Sequence, residues 1–305
     1  MITISELTKS FGSITAVHAV SLSIADGEFY GLLGPNGAGK STLMNLLTGY
    51  LDADAGTITI NGLPVSRKAS AFRQQLGYVP QSLALYEELN PKENLTIFGQ
   101  LYNLSGKQLE TRVDALLEAV QLNERKKDRV QDFSGGMKRR LNLAASLLHD
   151  PLIILCDEPT VGVDPQSRNA IFEYLLSLHH KGKTIIYTTH YMEEAERLCT
   201  QLSVIDGGSI IAGGTVDTLL SLLPYEETVT IKKTDETTGI TNELEGFGSI
   251  TESADKIEIK PLPGKPLSAL FALLENRHIS SRLVELHRPT LEALFLHLTG
   301  RRLRD

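Results

Sequence analysis

Cysteine is scarce in this 305-residue chain, with only Cys156 and Cys199. Neither lies in a paired spacing that builds a zinc site or a disulfide framework. One sits in an apolar run and the other in a helical pattern, so both are expected to be small buried hydrophobes in a reducing compartment. Long hydrophobic runs are also missing: no uninterrupted apolar segment approaches the roughly 20 residues needed to cross a bilayer. Met1-Ile2-Thr3-Ile4-Ser5-Glu6 lacks the basic region followed by an apolar one that marks a leader. If the protein works at a membrane, another chain is expected to do the spanning. Positive charge is in deficit, 30 Lys and Arg against 37 Asp and Glu, for a formal net charge of −7. Neutralising many nucleic-acid phosphates takes clustered Lys and Arg, so no direct nucleic-acid partner is expected.

What remains is an ordinary globular composition, 41% hydrophobic and 22% charged. The length leaves room for one domain of about 200 residues and a smaller one. The first quarter reads as strands: Ile2 to Leu7, Ala19 to Ile24, and Thr57 to Ile60 closed by Asn61-Gly62, a dipeptide that signals a hairpin. Between them Phe29-Tyr30-Gly31-Leu32-Leu33 leads into a glycine-rich segment and then Leu43, Leu46 and Leu47 at helical spacing. From about Pro91 to Val130 the pattern is helical, with Val113, Leu116, Leu117 and Val120 on one stripe. A second long helix is expected from Gly135 to about His149, stopped by Asp150-Pro151. Apolar runs at Leu152–Cys156, Thr184–Thr188 and Leu202–Ile205 then alternate with helical stretches, the sign of a parallel sheet with helices on its faces. Beyond Pro224 alternating and polar segments take over, which places a domain boundary near Leu222 to Tyr225 and divides the chain into 1–222 and 223–305.

Gly34-Pro35-Asn36-Gly37-Ala38-Gly39-Lys40-Ser41 matches G-x-x-x-x-G-K-[ST] between a strand and a helix. Glycines let backbone N–H groups turn inward around a phosphate, and the following helix adds its positive end, with Thr42 in its first turn. Lys40 is suited to reach the β- and γ-phosphates and the Ser41 hydroxyl to ligate Mg²⁺. A glycine-rich turn alone could carry the same letters, but not with a strand before it and a helix after it. Leu152 to Cys156 reads as a strand buried on both faces, and it runs into Asp157-Glu158. Carboxylates at the C-terminal end of a parallel strand face the crevice where ligands of open α/β sheets bind. Asp157 suits Mg²⁺, and Glu158 suits the polarising of water for attack on the γ-phosphate. The bland alternative is a solvated turn before Pro159. Ser134-Gly135-Gly136 opens another helix, with Ser134 as a natural N-cap and free N–H groups able to take an anion. One chain thus carries two phosphate-ready helix starts, which serve either two ligands or the site of another copy.

In this order, the phosphate loop, Gln81 in Tyr78-Val79-Pro80-Gln81, Phe133-Ser134-Gly135-Gly136-Met137, Asp157-Glu158-Pro159-Thr160, Asp164 and His190 resemble the motifs of ATP-binding cassette (ABC) ATPases over roughly residues 2 to 220. The resemblance implies an α/β P-loop NTPase cassette with an antiparallel β-subdomain, a parallel core sheet and a helical signature subdomain, plus a small C-terminal α/β accessory domain. It implies ATP and Mg²⁺ as ligands, with Ser41, Gln81 and Asp157 at the metal. It also implies a head-to-tail homodimer on ATP binding, in which Ser134, Gly135 and Gly136 of one copy close over the ATP held by Lys40 of the other. In this reading Phe11 resembles the aromatic that stacks on adenine, and Gln81 the lever that senses Mg²⁺ and water while touching the membrane partner. His190 resembles the γ-phosphate contact and Asp164 the residue that communicates across the dimer.

Phe133 and Met137 stand where many members carry Leu and Gln, and Val161 where Ser is commoner. Met137 cannot supply a side-chain amide, yet none of these changes removes a backbone group that binds phosphate, so hydrolysis is expected to survive. These variants and the tail from Arg288 to Arg301 resemble the bacterial daunorubicin-resistance-like branch, which exports drugs, antibiotics or other hydrophobic compounds. The expected role is the ATP-hydrolysing subunit of an exporter, energising a separate transmembrane permease from the cytoplasmic face of the cell membrane. The competing class is a soluble cassette ATPase acting on DNA or ribosomes, disfavoured by a single cassette, no coiled-coil insertion and an acidic balance. A cassette that binds ATP without turnover is opposed by intact Glu158 and His190. The last 80 or so residues could serve dimerisation, regulation, binding of inhibitor or cargo, or simple stabilisation.

Overall fold

A computed structural model describes residues 1–223, 227–237, 239–262 and 265–300. The chain divides into two compact units, the first Met1–Val216 and the second from Asp217 onward. The composition change expected near Leu222 to Tyr225 falls partly outside the described residues, as does Arg301 at the end of the tail. Among the described residues no helix is long and apolar enough to cross a membrane.

The first unit opens with the hairpin β1 (Ile2–Phe11) and β2 (Ile14–Ile24), followed by β3 (Phe29–Leu33), α1 (Lys40–Leu47), β4 (Ala55–Ile60), β5 (Leu63–Pro64) and β6 (Leu76–Val79). Strands β2, β1, β4 and β5 form an antiparallel sheet in that order. The β4–β5 turn is the expected Asn61-Gly62, with φ of 49° and 77°, the left-handed pair that a two-residue hairpin requires. The first hairpin extends further than the alternation suggests. Register shifts fall between Ile4 and Leu7 and between Leu7 and Lys9, and Glu6 and Ala19 have left-handed φ, so bulges scramble the inward–outward pattern while pairing continues to Phe11.

Helices α2 (Pro91–Leu101), α3 (Gly106–Ala119) and α4 (Gly135–Ser146) form the helical part, and the stretch read as helical from Pro91 onward is broken at Asn103, where φ is 62°. Asn90 caps α2 through a reciprocal pair with Glu93. The predicted stripe Val113, Leu116, Leu117 and Val120 is fully buried. Then follow β7 (Ile153–Asp157), α5 (Pro165–His180), β8 (Thr184–Thr189), α6 (Met192–Leu198), β9 (Gln201–Asp206) and β10 (Ser209–Gly214), after which α7 (Val216–Leu220) begins at the last residue of this unit and continues into the second. The second sheet runs β10-β9-β3-β8-β7-β6, parallel throughout except for the antiparallel edge β10. Strands β3, β7 and β8 are buried at every position, as expected of a parallel sheet covered on both faces. Both cysteines are buried, and burial pushes their thiol pKa values up. The second unit carries β11 (Thr228–Lys232), α8 (Thr241–Leu244), β12 (Gly248–Glu252), β13 (Lys256–Pro261), α9 (Leu267–Asn276), β14 (Val284–His287) and α10 (Leu291–Thr299). Its antiparallel sheet has the order β12-β13-β11-β14, and Val229, Ile231, Ile257 and Ile259 share a core with Leu270 and Leu274 of α9.

His149 joins the end of the α4 segment to the core sheet. Its Nε2 is 2.8 Å from the Leu76 carbonyl at the start of β6, and its ring stacks on Tyr102 with centroids 3.7 Å apart. Burial lowers the imidazole pKa below its usual 6.5. A histidine depressed in the folded state contributes stability above its unfolded pKa, and that stability is lost as pH falls through the folded value. The melting temperature is therefore expected to drop between about pH 7.5 and 5.5, and to drop less in His149→Gln, which retains a donor but does not titrate. An unchanged pH slope in the variant would contradict this assignment.

Candidate functional site

The phosphate loop occupies the turn from β3 into α1. Gly39 has a φ of 106°, and a Cβ there would lie 2.2 Å from the Ala16 carbonyl, so both conformation and space demand glycine. Lys40 is 4% exposed, and its ammonium donates to the Gly34 and Pro35 carbonyls at 2.8 and 2.9 Å. It also lies 3.0 Å from Glu158 Oε1, an ion pair between two buried groups. The other carboxylate oxygen of Glu158 meets His190 Nδ1 at 3.2 Å and accepts from Gln81 Nε2 at 3.4 Å. Asn36, Gly37, Lys40, Ser41, Gln81 and Glu158 are among the residues lining one cavity of about 360 Å³. With Ala16 also in its wall, residues from four distant stretches of sequence converge on one small polar space.

Parallel pairing accounts for the convergence. β7 and β3 flank β8, with Asp157 beside Thr188 and Leu33 beside Thr189, so the ends of all three strands open on the same side. Thr188, fully buried, donates to Asp157 Oδ1 at 2.7 Å, and its hydroxyl accepts from the Glu158 amide at 2.9 Å. Glu158 itself sits at φ 44°, a left-handed conformation uncommon for a non-glycine residue and concentrated at functional sites. Burial raises the Asp157 pKa, against the hydrogen bonds from Thr188 and Ser41. Tyr78 also hydrogen-bonds Asp157, and its phenol pKa is raised, first by burial and then by that carboxylate. Ser41, Gln81 and Asp157 are among the residues lining a neighbouring cavity of about 780 Å³, and between them they offer a hydroxyl, an amide oxygen and a carboxylate, donor types that Mg²⁺ accepts.

Phe11, Ser134, Gly135 and Gly136 do not line this cavity. Phe11 ends β1 half-exposed, with Lys9 Nζ 5.6 Å from its ring centroid. Ser134 caps α4, its hydroxyl accepting from the Met137 amide at 3.2 Å. Asp164 caps α5 by accepting from the Ser167 amide at 2.9 Å, and hydrogen bonds from Ser167 hold its carboxyl below the usual range. The two helix starts touch at Gly136: a Cβ there would lie 2.2 Å from Ser167 Oγ and 2.7 Å from Asp164 Oδ2. Gly136→Ala is expected to cost about 1–3 kcal/mol of stability by overpacking. Ser167→Gly in the same chain should recover part of the loss in urea denaturation, and an undiminished stability in the single variant would refute the contact argument.

Sequence reading missed three contributors. Thr188 was legible only as part of an apolar run, although a threonine inside a strand buried on both faces has to place its hydroxyl somewhere. Arg139, half-buried on α4, donates to the Gln81 carbonyl and reaches the Val161 carbonyl at 3.5 Å, with burial lowering its pKa. It ties the signature helix to the loops bearing Gln81 and Asp164. Glu194, in the first turn of α6, is 3% exposed and looks in sequence like one of two adjacent surface acids.

The chain is similar in sequence and fold to characterised proteins. The family model described as ABC transporter matches residues 17–161. The chain is 39% identical to the linearmycin resistance ATP-binding protein of Bacillus subtilis over the full length of both. It is 38% identical to a daunorubicin resistance ATP-binding protein of Streptomyces coeruleorubidus, covering 98% of this chain and 96% of that one. Among solved structures, an ATP-binding cassette in a dimeric, post-hydrolysis state bound to ADP and Pi superposes with a TM-score of 0.64 at 26% identity, over 70% of this chain and 98% of the other.

Proposed function

The chain belongs to the ABC transporter family as an ATP-binding, ATP-hydrolysing subunit of the export type, and from that premise we propose how its residues carry the reaction and what they drive. The observation that carries the reading is the convergence of Lys40, Gln81 and Glu158 on one cavity of about 360 Å³, with His190 held against Glu158 behind it. Backbone N–H groups of the loop from Gly34 to Ser41, Pro35 excepted, hold the phosphates, and Lys40 leaves its carbonyl partners to neutralise the β- and γ-phosphates. Glu158 takes a proton from the attacking water, and His190 and Gln81, both on its second oxygen, orient that carboxylate and the γ-phosphate. Ser41, Asp157 and Gln81 would hold Mg²⁺, which when bound would supply positive charge against that of the transferring phosphoryl group. Phe11 offers its exposed ring to adenine.

In this reading Ser134, Gly135 and Gly136 close over the ATP of a second copy, which fits their absence from the walls of their own chain's cavity. Binding energy in the closed homodimer draws the cassettes together, and hydrolysis releases them. A separate permease receives the motion at the cytoplasmic face of the membrane. Gln81 also lines a neighbouring cavity of about 780 Å³ with Thr48, Gly49, Tyr50, Arg73 and Ser82, and the Tyr50 side chain there is 70% exposed. An exposed aromatic beside the lever residue suits a protein partner. Drugs, antibiotics or other hydrophobic compounds are the proposed cargo, in keeping with the two resistance proteins named above.

The test is ATP hydrolysis by the purified chain, alone and with the membrane protein that copurifies from the native host, with Glu158→Gln as control. Turnover that disappears in the variant and changes with the membrane partner supports the reading. Robust turnover with no membrane partner, stimulated by DNA or ribosomes, would replace it with the soluble-ATPase class.

A further inference from the structure

Glu194 is a buried carboxylate that the reaction described above leaves unused. Its Oε1 accepts from the Thr160 hydroxyl at 2.8 Å, and its Oε2 accepts from the Tyr187 hydroxyl at 2.9 Å and the Thr189 hydroxyl at 2.8 Å. The donors come from two functional segments. Thr160 lies two residues beyond Glu158, and Thr189 directly precedes His190. The Thr189 hydroxyl also accepts from the Tyr191 amide at 2.9 Å, so the chain is pinned on both sides of His190. Arg168 of α5 adds a looser contact, its Nε 3.7 Å from Glu194 Oε1 and its guanidinium over the Tyr191 ring. That ring in turn packs on His190, with centroids 4.2 Å apart.

Strand alternation gives the arrangement its logic. Residues 187 and 189 of β8 point to one face of the sheet and residue 188 to the other. Thr188 grips Asp157 and the Glu158 amide, while Tyr187 and Thr189 grip Glu194. One short strand therefore sets the carboxylate pair from one side and the histidine segment from the other. An ionised carboxylate accepts at both oxygens and donates nothing, which suits three converging hydroxyls. An apolar side chain of the same size would remove their shared acceptor, leaving the Thr160 and Tyr187 hydroxyls only each other at 3.1 Å and the Thr189 hydroxyl only the Tyr191 amide.

We propose that Glu194 is a positioning residue for hydrolysis: by fixing Thr160 and Thr189 to one buried carboxylate, it sets the distance between the Glu158 segment and His190. The proposal rests on the roles given above to Glu158 and His190. Misplacement of a catalytic group by about 1 Å can cost on the order of 100-fold in rate without weakening ground-state binding. A purely structural Glu194 would lower thermal stability and leave the rate of the folded fraction intact.

Single-turnover and steady-state ATP hydrolysis by the purified chain separate these cases, with the melting temperature measured alongside. Glu194→Ala is expected to lower kcat by about 10- to 100-fold, with KM for ATP within about threefold of the parent. Glu194→Gln should recover to within about fivefold, because its amide oxygen can accept from Tyr187 and Thr189 while its nitrogen donates to Thr160. In a His190→Ala background the further loss from Glu194→Ala should nearly vanish, since residues acting as a unit are not additive. An unchanged kcat in Glu194→Ala, or an equal loss with and without His190, overturns the proposal. If Glu194→Ala does not fold, Thr189→Val removes one hydroxyl at almost constant shape; about a tenfold fall in kcat is expected, and an unaltered rate overturns it. His190→Ala with parental turnover would instead overturn the site reading on which the proposal stands.

Discussion

Glu158→Gln is expected to reduce ATP turnover by about 10²- to 10⁴-fold, the range lost with a general base, while the chain still binds ATP and self-associates in its presence. The separation of binding from turnover follows from the partners of the side chain. Glu158 is not a wall of the phosphate loop; it meets the cavity through one oxygen on Lys40 and the other on His190 and Gln81. A glutamine fits the same volume and can offer its amide oxygen to Lys40, so the loop and its backbone N–H groups stay in place. What it cannot do is accept a proton from water. Removing the negative charge also leaves the Lys40 ammonium with neutral acceptors only, the amide oxygen and the Gly34 and Pro35 carbonyls, so Lys40 moves to bound phosphate against less competition. ATP affinity should therefore hold or rise. Equilibrium binding of a fluorescent ATP analogue together with phosphate release checks both halves, and undiminished phosphate release would remove Glu158 from the role of base.

This cluster was only half visible in the linear sequence. The phosphate loop and the Asp157-Glu158 pair are local: eight and two consecutive residues, each placed by the element beside it, so pattern and spacing sufficed. The contacts that hold them are not local. Lys40 meets Glu158 across 118 positions (158 − 40) because β3 and β7 flank the same central strand. Thr188 and Glu194 gave no signal of their own, since a threonine in a strand and a glutamate in a first helical turn are both ordinary placements. Their importance comes from burial, which only the fold supplies. The same limit explains the helical stretch read from Pro91 onward. Hydrophobic periodicity continued across Asn103, while the chain there turned through a left-handed residue and started a new helix behind Ser105. Strand β12 escaped notice because Ser249, Thr251 and Glu252 are exposed and only Ile250 shows the period of two.

Mixing two inactive variants should restore hydrolysis if the second helix start serves another copy. Lys40→Ala removes the phosphate-binding ammonium from its own cavity, and Ser134→Glu sets a negative charge at the start of α4, where the proposed γ-phosphate of the other copy would sit. Each homodimer then has two broken sites. In a mixed dimer, one site joins the two broken halves and the other joins the intact Lys40 of one chain to the intact Ser134 of the other. Random pairing at equal amounts gives about half mixed dimers with one working site each, so the mixture should reach roughly a quarter of the parental rate if sites act independently. The structure supports this division of labour within a single chain, because Lys40 lines the phosphate cavity while Ser134, Gly135 and Gly136 lie outside its walls. Hydrolysis that stays at background in the mixture, with each variant folded and mixed dimers confirmed by differential tagging, would return Ser134 to the role of a simple helix cap. The same outcome would confine the reaction to residues of one chain. Recovery would assign each ATP to two copies at once, with Gly136 held against Ser167 and Asp164 so that the signature helix reaches across the interface at a fixed angle.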